Sequence, residues 1–379
     1  MKTPRFDSLL LCFTLCAAGC GGGNGSTMDM NMGPADMALI GDPDMGCALS
    51  KLDTAACKAA MTDYQPRTDM SKDDPWPACI SDDNSYHQIG MSTPGGAARV
   101  TAWDSMAARL FRRSGAPAAD DFLNARNDFT AANGISSRME RRQDIHYPEI
   151  PMNNKLRCAD PGIPAMYPDR CAGPAKLLPI MNDAFTLGLA GTKPLVQAAR
   201  IEAALLWFFY ISELSEQWTC QFEAVEDCDG VWGHYNAAQQ RDKANTGLSR
   251  YFSEINPAIH DRVFDAILAV RCWRDLDQAL PSKDAAKYQL SLDQVDRAEL
   301  FGVVQVLRAR LDRLACNRGE GREADNAFFG IIGGFLDRPI RALDAAKADK
   351  LKALVARPAL DDADAPAAKA ILDALFPCP

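Results

Sequence analysis

Apolar residues recur at three- and four-residue intervals along most of the chain from about Ala97 onward, which is the spacing of an amphipathic helix. The first such run begins near Ala97 and stops before Gly115. Later runs predict long helices over residues 117–133, 194–218, 257–279 and 292–316. Asn256 before Pro257, and Ser291 three residues before Gln294, are typical of helix N-termini. No alternating run predicts a strand, so the pattern predicts an all-α, multi-helix bundle.

Two stretches interrupt the helical pattern. Residues 47–96 are rich in Asp, Pro and Ser, and predict an irregular N-terminal segment pinned by disulfides. Residues 147–179 contain seven prolines and predict an ordered loop closed by Cys158 and Cys171. The expected organisation is therefore N-terminal helices over 97–146, this proline-rich loop, and a main helical bundle over 180–379.

The N-terminus has the pattern of an export signal. Lys2 and Arg5 precede an apolar stretch, 9–18, that is too short to span a bilayer. Ala17-Ala18-Gly19-Cys20 then resembles the lipobox of bacterial lipoproteins, with alanine at a position where leucine is usual. The resemblance implies a signal peptide over 1–19 and acylation of Cys20.

Residues 20–46 are rich in Gly, Asp, Met and Pro and have no hydrophobic period, which is typical of a flexible stalk. Together with the lipobox-like sequence, the stalk predicts a protein of the bacterial cell envelope, held on the outer membrane by lipid. The membrane is the expected partner. The net charge of −9 argues against nucleic acid as another.

The cysteine count fits an oxidising compartment. Thirteen cysteines become ten once Cys12 and Cys16 leave with the signal and Cys20 takes lipid. Two disulfides are expected because each would close only a short loop: Cys158 with Cys171, and Cys220 with Cys228. The remaining expected pairs are Cys47 with Cys57, Cys272 with Cys316, and Cys79 with Cys378.

The helix predicted over 194–218 carries the candidate metal site. Its centre is apolar on every side, which favours a position in the middle of the bundle. Glu202, Glu213 and Glu216 share one face of it, and inward-facing glutamates build metal sites in helical bundles. The candidate partners are His234, Tyr235 and His260. The favoured function is therefore an envelope protein that binds a metal ion or small ligand.

Plainer interpretations of these residues remain open. Glu213 and Glu216 could lie at a solvated helix end, Glu202 could pair with Arg200 or another arginine, and His260 could be a satisfied first-turn histidine. A structural or partner-binding surface protein would then be the better interpretation.

A second candidate centre is His146, in the hexapeptide DIHYPE at 144–149. This sequence is similar to the Gly-x-His-x-x-Glu motif of imelysin-type envelope proteins, which are helical bundles on bacterial surfaces. The region 207–235 is also similar to algal low-iron-inducible periplasmic proteins that assimilate iron. No zincin, nucleophile-elbow, P-loop or calcium-loop motif is present. An envelope hydrolase with a site around His146 is the alternative function.

Overall fold

The computed structural model describes residues 59–66, 76–90, 94–132, 134–151, 156–243 and 245–376. These residues all belong to one compact unit. The expected signal peptide, Cys20, the stalk, Cys47, Cys57 and Cys378 lie outside the described residues.

The described chain is helical and contains no β-strand, which confirms the all-α, multi-helix prediction. A short 3₁₀-helix, Ile80–Asp83, and a π-helical turn, Gly173–Leu177, accompany the α-helices. The α-helices are α1 (Pro94–Leu110), α2 (Ala119–Thr130), α3 (Ser136–Met139), α4 (Ile163–Met166), α5 (Leu178–Leu189), α6 (Pro194–Phe222), α7 (Asp227–Asn236), α8 (Gly247–Ile255), α9 (Pro257–Leu276), α10 (Ala285–Leu314), α11 (Gly319–Phe335), α12 (Asp337–Leu343), α13 (Ala345–Val355) and α14 (Asp364–Leu375).

Helix α6 forms the centre of the bundle, as its uniformly apolar sequence predicts. It packs against α5, α7, α10 and α11, and its residues 201–214 are all buried. Among the described residues α6 is also the one helix that is long and apolar enough to cross a membrane, but 83% of its most apolar window is buried inside the protein. Its hydrophobicity is therefore accounted for by the core.

One of the two predicted helix starts is confirmed and the other is wrong. Asn256 caps α9, because its side-chain oxygen accepts a hydrogen bond from the Ala258 amide. Helix α10 instead begins at Ala285, two turns before the predicted start, with Asp284 as its cap. Ser291 lies inside α10, where its hydroxyl donates to the Tyr288 carbonyl. Such a local bond satisfies a serine within a helix without ending it.

The disulfides confirm two predicted pairs and contradict two. Cys158 is bonded to Cys171 and Cys220 to Cys228. Cys79 is bonded to Cys272, so the expected pairs Cys272 with Cys316 and Cys79 with Cys378 are wrong. Cys316 is disulfide-bonded as well. The Cys79–Cys272 bond joins the irregular N-terminal segment to α9, a connection that short-loop reasoning could not anticipate.

The proline-rich segment has a small core of its own. Ile150, Ile163 and the Cys158–Cys171 bridge pack together, apart from the main core. The segment contains α4 and the π-helical turn rather than loop alone. Its described residues therefore form a wall beside the bundle.

Candidate functional site

The six residues expected to bind a metal are separated in the structure. Glu202 is fully buried and accepts a hydrogen bond from the Tyr251 hydroxyl at 3.0 Å. Its other carboxylate oxygen is ion-paired with Arg310 on α10. The plainer interpretation, in which Glu202 pairs with an arginine, is the one that agrees with these contacts.

Glu216 and His234 lie in a second cluster. Glu216 accepts a hydrogen bond from Arg142 at 3.0 Å, and this contact offsets the penalty of burial and lowers the pKa of Glu216 to about 2. His234 donates from Nδ1 to the Gly230 carbonyl at 2.8 Å. Burial lowers the pKa of His234 to about 4, so its imidazole is neutral near pH 7.

Glu213 faces a carboxyl group that the sequence did not single out, that of Glu299 on α10. Both side chains are fully buried, and their carboxyl oxygens have no other hydrogen-bond partner among the described groups. Burial together with the proximity of the two acids raises the pKa of Glu213 well above its usual range. Burial also raises the pKa of Glu299, to about 8.

Tyr235 and His260 form a third, self-contained pair. The Tyr235 hydroxyl is 2.9 Å from His260 Nδ1, and His260 Nε2 is 3.3 Å from the Arg241 carbonyl oxygen. Burial lowers the pKa of His260, which fits a neutral ring that accepts from Tyr235 and donates to Arg241. Among the described residues, no three His, Cys, Asp or Glu side chains group closely enough to hold a metal ion. The six expected ligands therefore do not form one metal centre.

His146 lies at the centre of a different network, in the turn after α3. Its Nδ1 is 2.6 Å from Asp144 Oδ1, and its Nε2 is 3.1 Å from Asp296 Oδ1 on α10. The Tyr210 hydroxyl, on α6, lies 2.9 Å from the same Nε2 and donates to Asp296. Three segments distant in sequence thus converge on one imidazole.

The charge of His146 does not favour a hydrolase. Burial alone would lower its pKa, but the hydrogen bonds to Asp144 and Asp296 outweigh burial and raise the pKa to about 10. A histidine that is already protonated at pH 7 cannot accept a proton from a nucleophile or water. Glu149, the other residue of the imelysin-like motif, is exposed on the rim of a nearby cavity.

A cavity of about 590 Å³ lies beside the C-terminal half of α6. It lies between α6, the chain that follows α3, and the wall formed by the proline-rich segment. Five arginines line it: Arg138, Arg141, Arg142, Arg157 and Arg170. Four acids also line it, Glu149, Glu216, Glu223 and Asp227, of which only Glu216 is ion-paired with a lining arginine.

Three of the arginines in this cavity, one half-buried and two exposed, have no ion-paired carboxylate. Arg138, Arg141 and Arg157 form no ion pair with any described residue. Burial and neighbouring arginines lower the pKa of Arg141, and the same two effects outweigh Glu216 in lowering the pKa of Arg142. Arg99, buried behind them, has its pKa lowered to about 10 by burial and by Arg138 and Arg142. A bound anion would relieve this repulsion.

A second cavity of about 590 Å³ adjoins the first and shares Ile145, Glu149, Arg170 and Trp218 with it. His146 lies on its wall, which α10 completes through Tyr288 and Leu292. The arginine cavity and the His146 network therefore open onto one face of the protein.

Sequence reasoning missed the arginine cavity, although one signal was present. Arg138, Arg141 and Arg142 fall within five residues, in the sequence RMERR. A dense run of like charge is usually a solvated surface, so the run alone gives no reason to expect a cavity. Asp296 carried no signal, because it lies 150 residues from His146 and only the fold brings them together.

No protein-family model, curated protein or solved structure matches this chain.

Proposed function

We propose that this chain is a lipid-anchored protein of the bacterial envelope that binds a small anion in the arginine cavity. The ligand carries a carboxylate or phosphate group, the two anions whose geometry a guanidinium matches best. The anchor is an acylated Cys20, followed by the stalk over 20–46.

One observation carries the proposal: the cavity presents more guanidinium groups than the carboxylates around it neutralise. Buried charges in proteins are ordinarily paired, but of the two buried arginines in the lining Arg142 has an ion-paired carboxylate, whereas the hydrogen bonds of Arg170 go to neutral oxygens. The small core of the proline-rich segment supports binding, because a packed wall lowers the entropy cost of ordering the residues that line the cavity. Of the six residues first expected to hold a metal, Glu216 lines this cavity and pairs with Arg142, whereas the contacts of the other five lie elsewhere.

The binding test uses the purified full chain and two probes, inorganic phosphate and citrate, in isothermal titration calorimetry. Trp218 lines the cavity, so its fluorescence gives a second readout. We expect at least one probe to bind, and the double variant Arg138→Gln/Arg141→Gln to weaken binding at least about tenfold. Hydrogen bonds to charged groups contribute ~1.5 to 3 kcal/mol each, which supports an effect of this size. Preference between the probes distinguishes a phosphate from a carboxylate ligand.

Arg126→Gln provides the matched control. Arg126 is an exposed arginine of α2 with no ion pair among the described residues, so its removal leaves the cavity intact and lowers the net charge by one, half the change in the double variant. Failure of both probes to bind, or equal binding by the double variant and the Arg126→Gln control, would overturn the proposal.

The anchor is tested separately, by growing the producing bacterium with labelled palmitate. We expect the label in the wild-type chain and its loss in Cys20→Ala. Label that is absent from the wild type, or that enters Cys20→Ala equally, contradicts lipidation at Cys20.

A further inference from the structure

We infer that the ligand of the arginine cavity is an aromatic anion, whose ring lies in the second cavity while its carboxylate or phosphate group lies among the arginines. The inference rests on the proposed anion binding and adds the chemical class of the rest of the ligand. Three aromatic side chains line the second cavity alone, Tyr147, Phe222 and Tyr288. A fourth, Trp218, lines both cavities.

The two cavities are placed to hold two parts of one molecule. They adjoin at the residues that line both of them, Ile145, Glu149, Arg170 and Trp218. Each has a volume of about 590 Å³, which is in the usual range for small-molecule sites. Trp218 is only half-buried, so a ligand that lies against its ring extends from one cavity into the other.

Phe222 indicates the kind of group that the second cavity takes. It is the last residue of α6, and its side chain is 48% exposed. It follows Trp218 by one helical turn, and the centroids of the two rings are 5.6 Å apart at an interplanar angle of 57°. A ligand ring that covers Phe222 removes this apolar surface from water and adds a third ring to the pair.

Packing holds the other two rings of the second cavity in place. Tyr288 is 5% exposed and packs against Trp273 of the main core, with their ring centroids 5.0 Å apart. Tyr147 lies within 5.9 Å of the cationic groups of Lys176 and Arg338. Side chains held in this way lose less conformational entropy when a ligand binds.

The charged side chains of the second cavity favour an aromatic ring over an aliphatic group. Arg170 and Arg338 both line it, and neither is ion-paired with a described carboxylate. Guanidinium groups are attracted to the face of an aromatic ring, and an aliphatic group gains no such attraction. Glu149 is the one acid among the residues that line this cavity, so an anionic ligand meets little repulsion there.

The test compares matched probes by isothermal titration calorimetry on the full, disulfide-bonded chain. One series is methyl, phenyl and cyclohexyl phosphate, and the other is acetate, phenylacetate and cyclohexylacetate. In the series with the preferred anion, we expect the phenyl compound to bind at least about tenfold more tightly than the compound without a ring, as partial burial of a ring predicts. It should also bind more tightly than the cyclohexyl compound.

Phe222→Ala should reduce the advantage of the phenyl compound to less than about threefold and leave the probe without a ring unaffected, since about half of the ring contact is lost. Leu123→Ala is the matched control, because Leu123 of α2 is 46% exposed and lines neither cavity. It should keep the full advantage. The comparison of probes in the wild type needs no variant, so it remains decisive if Phe222→Ala does not fold.

The outcomes separate this inference from the proposed function. The inference fails alone if the anions bind but the phenyl group adds no affinity, if the cyclohexyl compound binds as tightly as the phenyl compound, or if Phe222→Ala and Leu123→Ala behave alike. If no probe binds, or if Arg138→Gln/Arg141→Gln binds the phenyl compound as tightly as the wild type, the proposed anion site fails as well.

Discussion

Buried carboxylates of this protein differ in what neutralises them. Glu202 and Asp325 surround the guanidinium of Arg310, and all three side chains are almost completely buried. Glu213 and Glu299 instead face each other without an arginine, and their raised pKa values mean that burial is relieved by protonation. The first arrangement makes a structural ion pair, whereas in the second, burial favours the protonated form of both acids.

Replacing Glu202 tests the structural ion pair. Glu202→Gln keeps the hydrogen bond to Tyr251 but removes the charge that faces Arg310. Loss of one member of a buried pair typically destabilises a protein by ~3 to 5 kcal/mol, and Asp325 still neutralises part of the charge on Arg310. We expect a loss of about 3 kcal/mol in the free energy of unfolding, measured by urea denaturation.

Glu323→Gln is the control for that measurement, because Glu323 pairs with Lys193 on the exposed surface. Solvent screens such pairs, so the control should unfold close to the wild-type midpoint. Equal losses in the two variants would show that burial of the Glu202 pair has no special importance.

His234 makes a specific contribution to the pH dependence of stability. Its pKa, near 6.5 in an unfolded chain, is lowered to about 4 in the fold, because burial outweighs the attraction of Glu216. The unfolded state therefore binds more protons between pH 6.5 and 4. Stability is complete above pH 6.5 and falls as pH decreases through this window, at up to ~1.4 kcal/mol per pH unit.

His234→Gln should reduce that fall. The measurement is the free energy of unfolding from pH 7 to 4.5 for wild type and variant, and their difference isolates His234 from His260, whose pKa is also lowered. His87→Gln, at an exposed position, controls for loss of a histidine. Parallel curves for wild type and His234→Gln would contradict the prediction.

At the level of elements, the helical period was sufficient to predict where most helices lie. It placed α6 at the centre because its apolar residues cover every face. It could not give the start of α10, because Asp284 and Ser291 are both ordinary capping residues and only the packed structure shows which one acts. Contacts between elements distant in the chain, such as Asp296 of α10 with His146 in the turn after α3, cannot be predicted from a local period.

Two helical glycines differ in the space around them: one is required by close packing between helices, and the other is not. A Cβ on Gly188 of α5 would lie 2.3 Å from the Phe122 ring of α2, whereas one on Gly330 of α11 would meet no atom within 4 Å. Gly188→Ala should destabilise the protein by ~1 to 3 kcal/mol through overpacking. Gly330→Ala should stabilise it by ~0.5 to 1 kcal/mol, since alanine favours the helix.

Thermal unfolding followed by circular dichroism measures both glycine variants. Each one serves as the control for the other, because the chemical change is identical. Changes of the same sign would mean that the close approach of α5 and α2 does not limit the side chain at position 188.

At the scale of the whole molecule, the disulfides show which cysteine pairs can be predicted from the sequence and which cannot. Cys158 with Cys171 and Cys220 with Cys228 are close in sequence, and proximity predicted both. Cys79 with Cys272 spans 193 residues, and such a pair depends on which elements become neighbours after folding. The arginine cavity and the His146 network have the same origin, since each joins α6 to segments distant in the chain.

The long disulfide should therefore stabilise the molecule more than a short one. Closing a loop restricts the unfolded chain, and this effect grows with the logarithm of loop length. For separations of 193 and 13 residues, the entropic contribution is about 5 kcal/mol for Cys79–Cys272 and about 3 kcal/mol for Cys158–Cys171. We expect Cys79→Ala/Cys272→Ala to lower the guanidinium chloride midpoint further than Cys158→Ala/Cys171→Ala does. The reverse order would mean that local packing of the proline-rich wall outweighs loop entropy, and that Cys158–Cys171 is the more important bond for the fold around the cavity.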